Sequence, residues 1–351
     1  MTESLKSPST SKRLVGVAAL AALAAGTITI VSPAHAATTP KAWKVGVSNT
    51  LVGNGWREEM ICAVKAEVAA RTGGKGTVVV ANRNGGPTEQ ANDLKKLISS
   101  GVNAIVVNPS DPEKLNTVIK QAAAKGIAVI AVDSSVTAPE AYNASNDQVA
   151  YGQLGAEWLF KAIGGKGNVV EMRGIEGVPA DTDRHTGFTA ALKKYPNVKV
   201  VKEVFTGWDF TKGGQATLDI LNSGLKVDGI WTSGIDITVA KAFETAKKPL
   251  VPIVGADNNG FINLLLNKGV PGAAVTNPAV IGGVGASLAI DVLEGKTVAK
   301  TTKLTPQVWD LATGKAQLTA NYFPKRDDFF SAAVSVKPYT TYTNDQLFAC
   351  K

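Results

Sequence analysis

The chain has 351 residues, 44% hydrophobic and 19% charged, a globular composition that excludes intrinsic disorder and suits one or two domains. Its formal net charge is +8, yet Lys and Arg are scattered and usually sit near Asp or Glu, so no basic stripe points to nucleic acid.

The N-terminus opens with the polar, basic "MTESLKSPSTSKR", continues with the apolar "LVGVAALAALAAGTITIV" and ends in "SPAHA". Ala34 and Ala36 stand at A-x-A spacing, which predicts a signal peptide over 1–36 with cleavage after Ala36. The apolar run of about 18 residues is at the lower edge for a membrane anchor. No Cys follows closely to carry a lipid, and no later stretch reads as membrane-spanning. An exported protein is expected, in the periplasm or at the outer face of the cell membrane.

From residue 44 onward, β-branched runs alternate with amphipathic stretches. Strands are predicted at 44–49, 77–82, 104–108, 127–133, 168–172, 198–205, 229–233, 252–257 and 272–276. Segments such as 88–100 and 112–125 lie between them, with Leu94, Leu97 and Ile98 at helical spacing and Gly101 and Gly126 as stops. Nearly continuous apolar strands suit a parallel sheet buried on both faces. Repeated βα units predict an α/β fold of doubly wound sheets. Nine strands exceed one comfortable sheet, and a fresh series begins near residue 146, so two similar lobes with a cleft between them are expected.

In such sheets ligands gather at the carboxyl ends of the strands. In chain order those ends supply Asn54, Trp56 and Arg57; Arg83; the turn 108–111; Asp133 and Ser134; Asp181, Asp183 and Arg184; Trp208 and Asp209; Asp236; Asp257; and Asn277. Asp, Asn and Arg address hydroxyls in fixed directions, and an indole face covers the apolar side of a sugar ring. Polyols and sugars fit this set. Dinucleotides do not: no G-x-G-x-x-G follows a strand, and there is no Walker loop. Each residue also has a structural reading. Asp and Asn at strand ends cap helices, Asp111 with Pro112 reads as a turn and cap, Arg184 could pair with its neighbours, and Trp56 could be core filler.

An enzyme would need paired carboxylates, which Asp181 with Asp183 or Asp209 with Asp236 could supply. There is no G-x-S-x-G elbow, and Cys62 lies on an apolar helix face. With two His in the chain, one inside the leader, neither a His-based metal site nor a His-dependent triad is expected. No cofactor and no catalytic residue are assigned. Cys62 and Cys350 are an even pair in an exported chain, which favours a disulfide.

The stretches "VGVSN…GNGWREEM", "AIVVNPSDPEKL", "ASNDQVAYGQLGAEWL", "GIEGVPADTDRHTGF", "GWDFTKGGQATLDIL" and "PIVGADNNG" resemble the type I periplasmic sugar-binding proteins, the ribose-binding-like receptors of ABC importers, from about residue 43 to about 303. The resemblance implies two Rossmann-like lobes joined by three hinge strands and closing on one sugar. It places the first lobe at 42–145 plus 278–303 and the second at 146–277; the C-terminal extension at 304–351 is longer than the family norm and is assigned no function. It implies ligand roles for Asn54, Trp56, Asp133, Arg184, Trp208, Asp257 and Asn277, with Asp236 the best match to a late polar pair. Where the family carries an Arg after the fourth strand, this chain has Ser134. Where it carries a second aromatic, this chain has Arg57. Arg57 and Arg83 would suit a guest with an extra hydroxyl or an acidic group. The implied partners are a small sugar or polyol and a membrane permease, for a monomeric receptor. Reporting to a sensor kinase is the alternative role, and a secreted carbohydrate-active enzyme a third.

Overall fold

A computed structural model describes residues 41–350. The predicted signal peptide lies outside the described residues. Five strands open the chain: β1 (Lys44–Asn49), β2 (Thr77–Asn82), β3 (Ala104–Val107), β4 (Ala128–Asp133) and β5 (Tyr142–Asn146). Helices α1 (Gly55–Thr72), α2 (Pro87–Ser99) and α3 (Asn116–Ala123) alternate with the first four. The second series holds β6 (Lys166–Arg173), β7 (Asn197–Phe205), β8 (Gly229–Thr232), β9 (Ile253–Ala256) and β10 (Gly272–Val275). Its helices are α4 (Gln148–Ala162), α5 (Pro179–Leu192), α6 (Phe210–Asn222), α7 (Asp236–Thr245) and α8 (Asn259–Lys268). Then follow α9 (Ile281–Leu293), β11 (Thr301–Leu304), β12 (Val308–Asp310), α10 (Lys315–Ala320) and α11 (Asn344–Phe348).

Two six-stranded sheets form two α/β lobes, in orders β11-β5-β4-β3-β1-β2 and β12-β10-β9-β8-β6-β7. The first sheet is parallel in its registered pairs. The second is parallel except where β12 runs against β10. Each sheet has an apolar layer on both faces, which is why strands such as "AIVV" in β3 are apolar throughout and fully buried. Leu94, Leu97 and Ile98 of α2 bury one face of the first sheet. Gly101 and Gly126 follow their helices at φ 74° and 75°, a conformation other residues adopt only with strain.

The nine strands expected from β-branched runs are present. Three more, β5, β11 and β12, were not expected. β5 reads "YNASN", a turn-like composition, and is ordered by its partners: it lies between β4 and β11, while Asn143 both accepts from Val136 N at 2.8 Å and donates to Val136 O at 3.2 Å.

The chain passes between lobes after β5, after β10 and after β11. Helix α9 follows the second passage and packs on the first sheet, where Ile281, Val284, Leu288 and Ile290 meet Val45, Val106 and Val132. The last region is shared. Trp309 and Leu318 join the second-lobe core, whereas Val334, Tyr342 and Leu347 pack on Ala63 and Ala66 of α1. The Cys62–Cys350 disulfide fixes the tail to α1, and the Glu67 carboxylate accepts from Thr341 N at 2.7 Å and Thr341 Oγ1 at 2.9 Å. The tail is therefore a strap that leaves the second lobe and ends on the first.

Candidate functional site

The carboxyl ends of both sheets face a cavity lined by Asn54, Trp56, Arg57 and Asp133 from the first lobe. Ala180, Arg184, Trp208, Ser233, Gly234, Ala256 and Asn258 line it from the second, and Asn277 from a passage between them. The space between these lining atoms, including its open part, is about 470 Å³.

On the first lobe, Asn54 is the N-cap of α1 and accepts from Arg57 N at 3.2 Å, which orients the first turn and aims Trp56 and Arg57 at the cavity. Arg57 is buried and donates from Nη1 to Asn49 Oδ1 at 2.9 Å. Trp56 donates from its indole nitrogen to the Asn277 carbonyl, so it forms a wall and a latch to the passage at once. Asp133 ends β4 at φ 68°.

On the second lobe, Arg184 is set by the contact of α4 with α5. A Cβ at Gly152 would collide with the Arg184 carbonyl, and one at Gly187 with the Val149 carbonyl, so these two helices touch backbone to backbone. The Arg184 guanidinium lies 4.1 Å from the Tyr151 ring centroid. It donates from Nε to Gln148 Oε1 at 2.8 Å and from Nη1 to Ser233 Oγ and O at 3.0 and 3.1 Å. Trp208 sits at φ 53°, its indole on the Gly174 peptide where a Cβ would clash, and donates to Ser233 Oγ at 3.1 Å. Among the described residues three non-glycines have positive φ, and two of them, Asp133 and Trp208, line this cavity. Held strain of that kind gathers at binding sites.

One hydrogen-bonded chain ties the walls together. Gln148 Nε2 donates to Asp133 Oδ1 at 2.8 Å and Asn277 Oδ1 at 3.1 Å, while its Oε1 accepts from Arg184. Asn146 Nδ2 adds a bond to Asn277 Oδ1 at 3.0 Å. Burial pushes the Asp133 carboxyl above its usual value, and Arg184 and Arg57 pull it back. Burial likewise lowers Arg57, with Asp133 opposing. The cavity thus presents two guanidinium groups, one carboxylate, side-chain amides and two indoles: directional donors and acceptors beside flat apolar faces. That inventory replaces the water shell of a polyhydroxylated guest.

Four expected residues line none of it. Arg83 is 42% exposed at its side chain and is held on α2, Nε to Asp93 Oδ2 at 2.6 Å and Nη2 to Glu89 O at 2.9 Å. Ser134 is buried beside Asp133. Asp236 turns into the protein, accepting from Ala256 N at 2.8 Å, Ile237 N at 2.9 Å and Asn258 Nδ2. Asp257 accepts from Asn277 N at 2.9 Å and Ser331 Oγ at 3.4 Å. Burial raises both carboxyls, each to about 6. Asp236 and Asp257 thereby hold Asn258 and Asn277, which do line the cavity. The carboxylates weighed for hydrolysis have partners elsewhere: Asp181 takes Gly174 N and Arg173, and Asp209 caps α6. Asp111 accepts from Glu113 N and Lys114 N, as a capping turn does.

Gln148, Ala180, Ser233, Gly234, Ala256 and Asn258 were not among the expected ligand residues. Gln148 follows β5 within "SNDQ", so recognising that polar strand would have exposed it. Ala180, Ser233, Gly234 and Ala256 carry no pattern of their own.

Residues 45–297 match the family model of the periplasmic binding protein domain. The chain belongs to that family. Its lobes are those of a substrate-binding receptor, not an enzyme, and the resemblance to the type I periplasmic sugar-binding proteins is borne out. Among curated relatives, the xylitol-binding protein of Mycolicibacterium smegmatis is 29% identical over 61% of this chain and 63% of its own length, so the match spans slightly under two thirds of that relative. The ribose import binding protein of Bacillus subtilis is 23% identical over 74% of this chain and 85% of its own. Among solved structures, an ABC transporter solute binding protein from Thermobispora bispora superposes with a TM-score of 0.74 at 29% identity, covering 82% of this chain and 90% of that one. Among the described residues no helix is long and apolar enough to cross a membrane.

Proposed function

We propose that the chain is an exported solute receptor that binds one monosaccharide or polyol between its lobes and delivers it to an ABC permease. The observation that carries this reading is the Gln148 junction. One side chain at a passage between lobes holds Asp133 of the first lobe, Arg184 of the second and Asn277 between them. A guest that touches Asp133 and Arg184 together favours the arrangement in which both reach it, and that differential contact drives closure. Asn54, Trp56 and Arg57 act from one side, Arg184, Trp208 and Asn258 from the other. The relatives' names, xylitol and ribose, support a polyol or monosaccharide as the guest. The signal-peptide pattern and the disulfide support an oxidising location outside the cytoplasm.

A thermal-shift screen over pentoses, hexoses, polyols and uronic acids tests the reading, followed by calorimetric titration of the best compound. One guest per chain is expected, with binding abolished in Trp208→Ala. A shift that survives Trp208→Ala would place the site elsewhere. Loss of uptake of the same compound on deletion of the gene tests delivery; unchanged uptake would leave a reporting receptor.

A further inference from the structure

Away from the sugar cavity, the second lobe buries a carboxylate in an apolar layer. Glu171 of β6 is 1% exposed. It pairs in register with Trp231 of β8 on one side and Glu203 of β7 on the other, on the sheet face covered by Tyr151, Phe160 and Phe188. Among the described residues no backbone amide and no Lys or Arg donates to it. Its hydrogen bonds among the described residues are to a single atom, His185 Nδ1, at 2.9 and 3.1 Å to its two oxygens. A buried carboxylate so poorly served is costly, and burial drives this one up to about 7.

His185 stands on α5, one residue past Arg184. Glu203 reaches over from β7 with a side chain 40% exposed. One ligand atom from each of Glu171, His185 and Glu203 falls within 4.8 Å of the others. Two ligands of a tetrahedral zinc ion, bonded at about 2.0–2.2 Å, lie about 3.3 Å apart, so the His185–Glu171 spacing is close to what an ion needs. Glu203 can close the remaining distance by rotating its exposed side chain. Arg173 takes one oxygen of Glu203 at 2.8 Å and bonds Asp181 at 2.6 Å, which leaves the second Glu203 oxygen for an ion.

We propose that Glu171, His185 and Glu203 form a site for one divalent transition-metal ion, Zn²⁺ above all, on the second lobe. One imidazole and two carboxylates match a borderline ion rather than Mg²⁺ or Ca²⁺, which prefer all-oxygen cages. Two carboxylates neutralise the dication, the ion removes the isolation of Glu171, and water reaches the remaining position past the exposed Glu203. The absence of a His-rich motif is no obstacle, because the site draws one ligand from each of three elements. The ion pins α5 to β6 and β7, and α5 carries Arg184 into the sugar cavity. Its role is to position that helix.

The test uses the untagged mature chain, stripped with EDTA and titrated with ZnCl₂ by calorimetry and thermal shift. One ion per chain is expected, with micromolar or tighter affinity and a raised Tm, and no comparable response to MgCl₂ or CaCl₂. His185→Gln and Glu203→Gln should each weaken Zn²⁺ binding at least tenfold, while Glu176→Gln leaves it within twofold. Glu203 is exposed, so its variant keeps the fold and decides the matter if His185→Gln does not. Absence of stoichiometric binding, or affinity unchanged in Glu203→Gln, overturns the proposal.

Discussion

Ser331 donates its backbone N–H to Glu59 Oε2 at 2.7 Å across 272 residues of sequence. The same residue bridges backbone to backbone with Asn258 of the second lobe, so the C-terminal strap touches both lobes at one point. Glu59 is buried, its other oxygen has no hydrogen-bond partner among the described residues, and burial raises it well above the usual carboxylate value.

Stability should therefore fall as pH rises. Burial raises Glu59, Asp236, Asp257 and Glu171, the last three to about 6, 6 and 7 against ordinary values of 3.8 and 4.5. A carboxyl whose folded value is raised binds its proton more tightly when folded, so its contribution is full below the unfolded value and is lost as pH rises through the folded one. Melting curves of the sugar-free chain should show Tm declining between about pH 4 and 7 from these groups. Glu59→Gln should shallow that slope and hold or raise Tm at pH 7.5. An unchanged slope would show that Glu59 does not titrate in this window.

The Cys62–Cys350 bond joins residues 288 apart in sequence. Loop-closure entropy puts its contribution at about 6 kcal/mol as an upper bound, with about 2–4 kcal/mol typical of measurement. The double variant Cys62→Ser, Cys350→Ser should lose stability in that range by denaturant unfolding. Amide exchange should quicken over 332–350 first, because α11 and its neighbours rest on a small apolar cluster.

Two arginines separate the cavity from its surroundings. Arg184→Lys removes a fork that meets Gln148 and Ser233, and a charged hydrogen-bond set of this kind is worth about 1.5–3 kcal/mol. Affinity for the screened sugar or polyol should drop roughly 10- to 100-fold. Arg83→Ala breaks an exposed pair with Asp93 and should leave affinity within about twofold. Calorimetry on both variants distinguishes them; equal losses would mean that the cavity extends beyond its present walls.

Gln148→Ala cuts the tie among Asp133, Asn277 and Arg184 at once and leaves buried polar groups unpaired. We expect affinity to fall about tenfold or more, with a lower Tm, since each orphaned buried group costs about 1–3 kcal/mol. Binding that is unaffected would remove Gln148 from any role in joining the lobes.

The strand ends were readable because apolar runs followed by Asp, Asn, Arg or Trp announce themselves. Asn54, Trp56, Arg57, Asp133, Arg184, Trp208 and Asn277 all reach the cavity from such positions. Side-chain direction was not readable. Asp257 directly follows β9 and Asp236 opens α7 four residues past β8, yet backbone amides of Ala256 and Asn277 turn them inward. Arg83 directly follows β2 as well, but Asp93 on the following helix captures it.

By itself the sequence determined the class of fold, since buried parallel strands demand continuous apolar runs and glycine stops. It also determined the kind of chemistry gathered at the strand ends. Only the tertiary structure decided which polar groups face the cavity, because that depends on which nearby backbone amide or carboxylate satisfies each one first. It also decided the polar strand β5, the return of the strap to α1 and the meeting of Glu171 with His185 and Glu203. These rest on partners distant in sequence, and local composition carries no record of them.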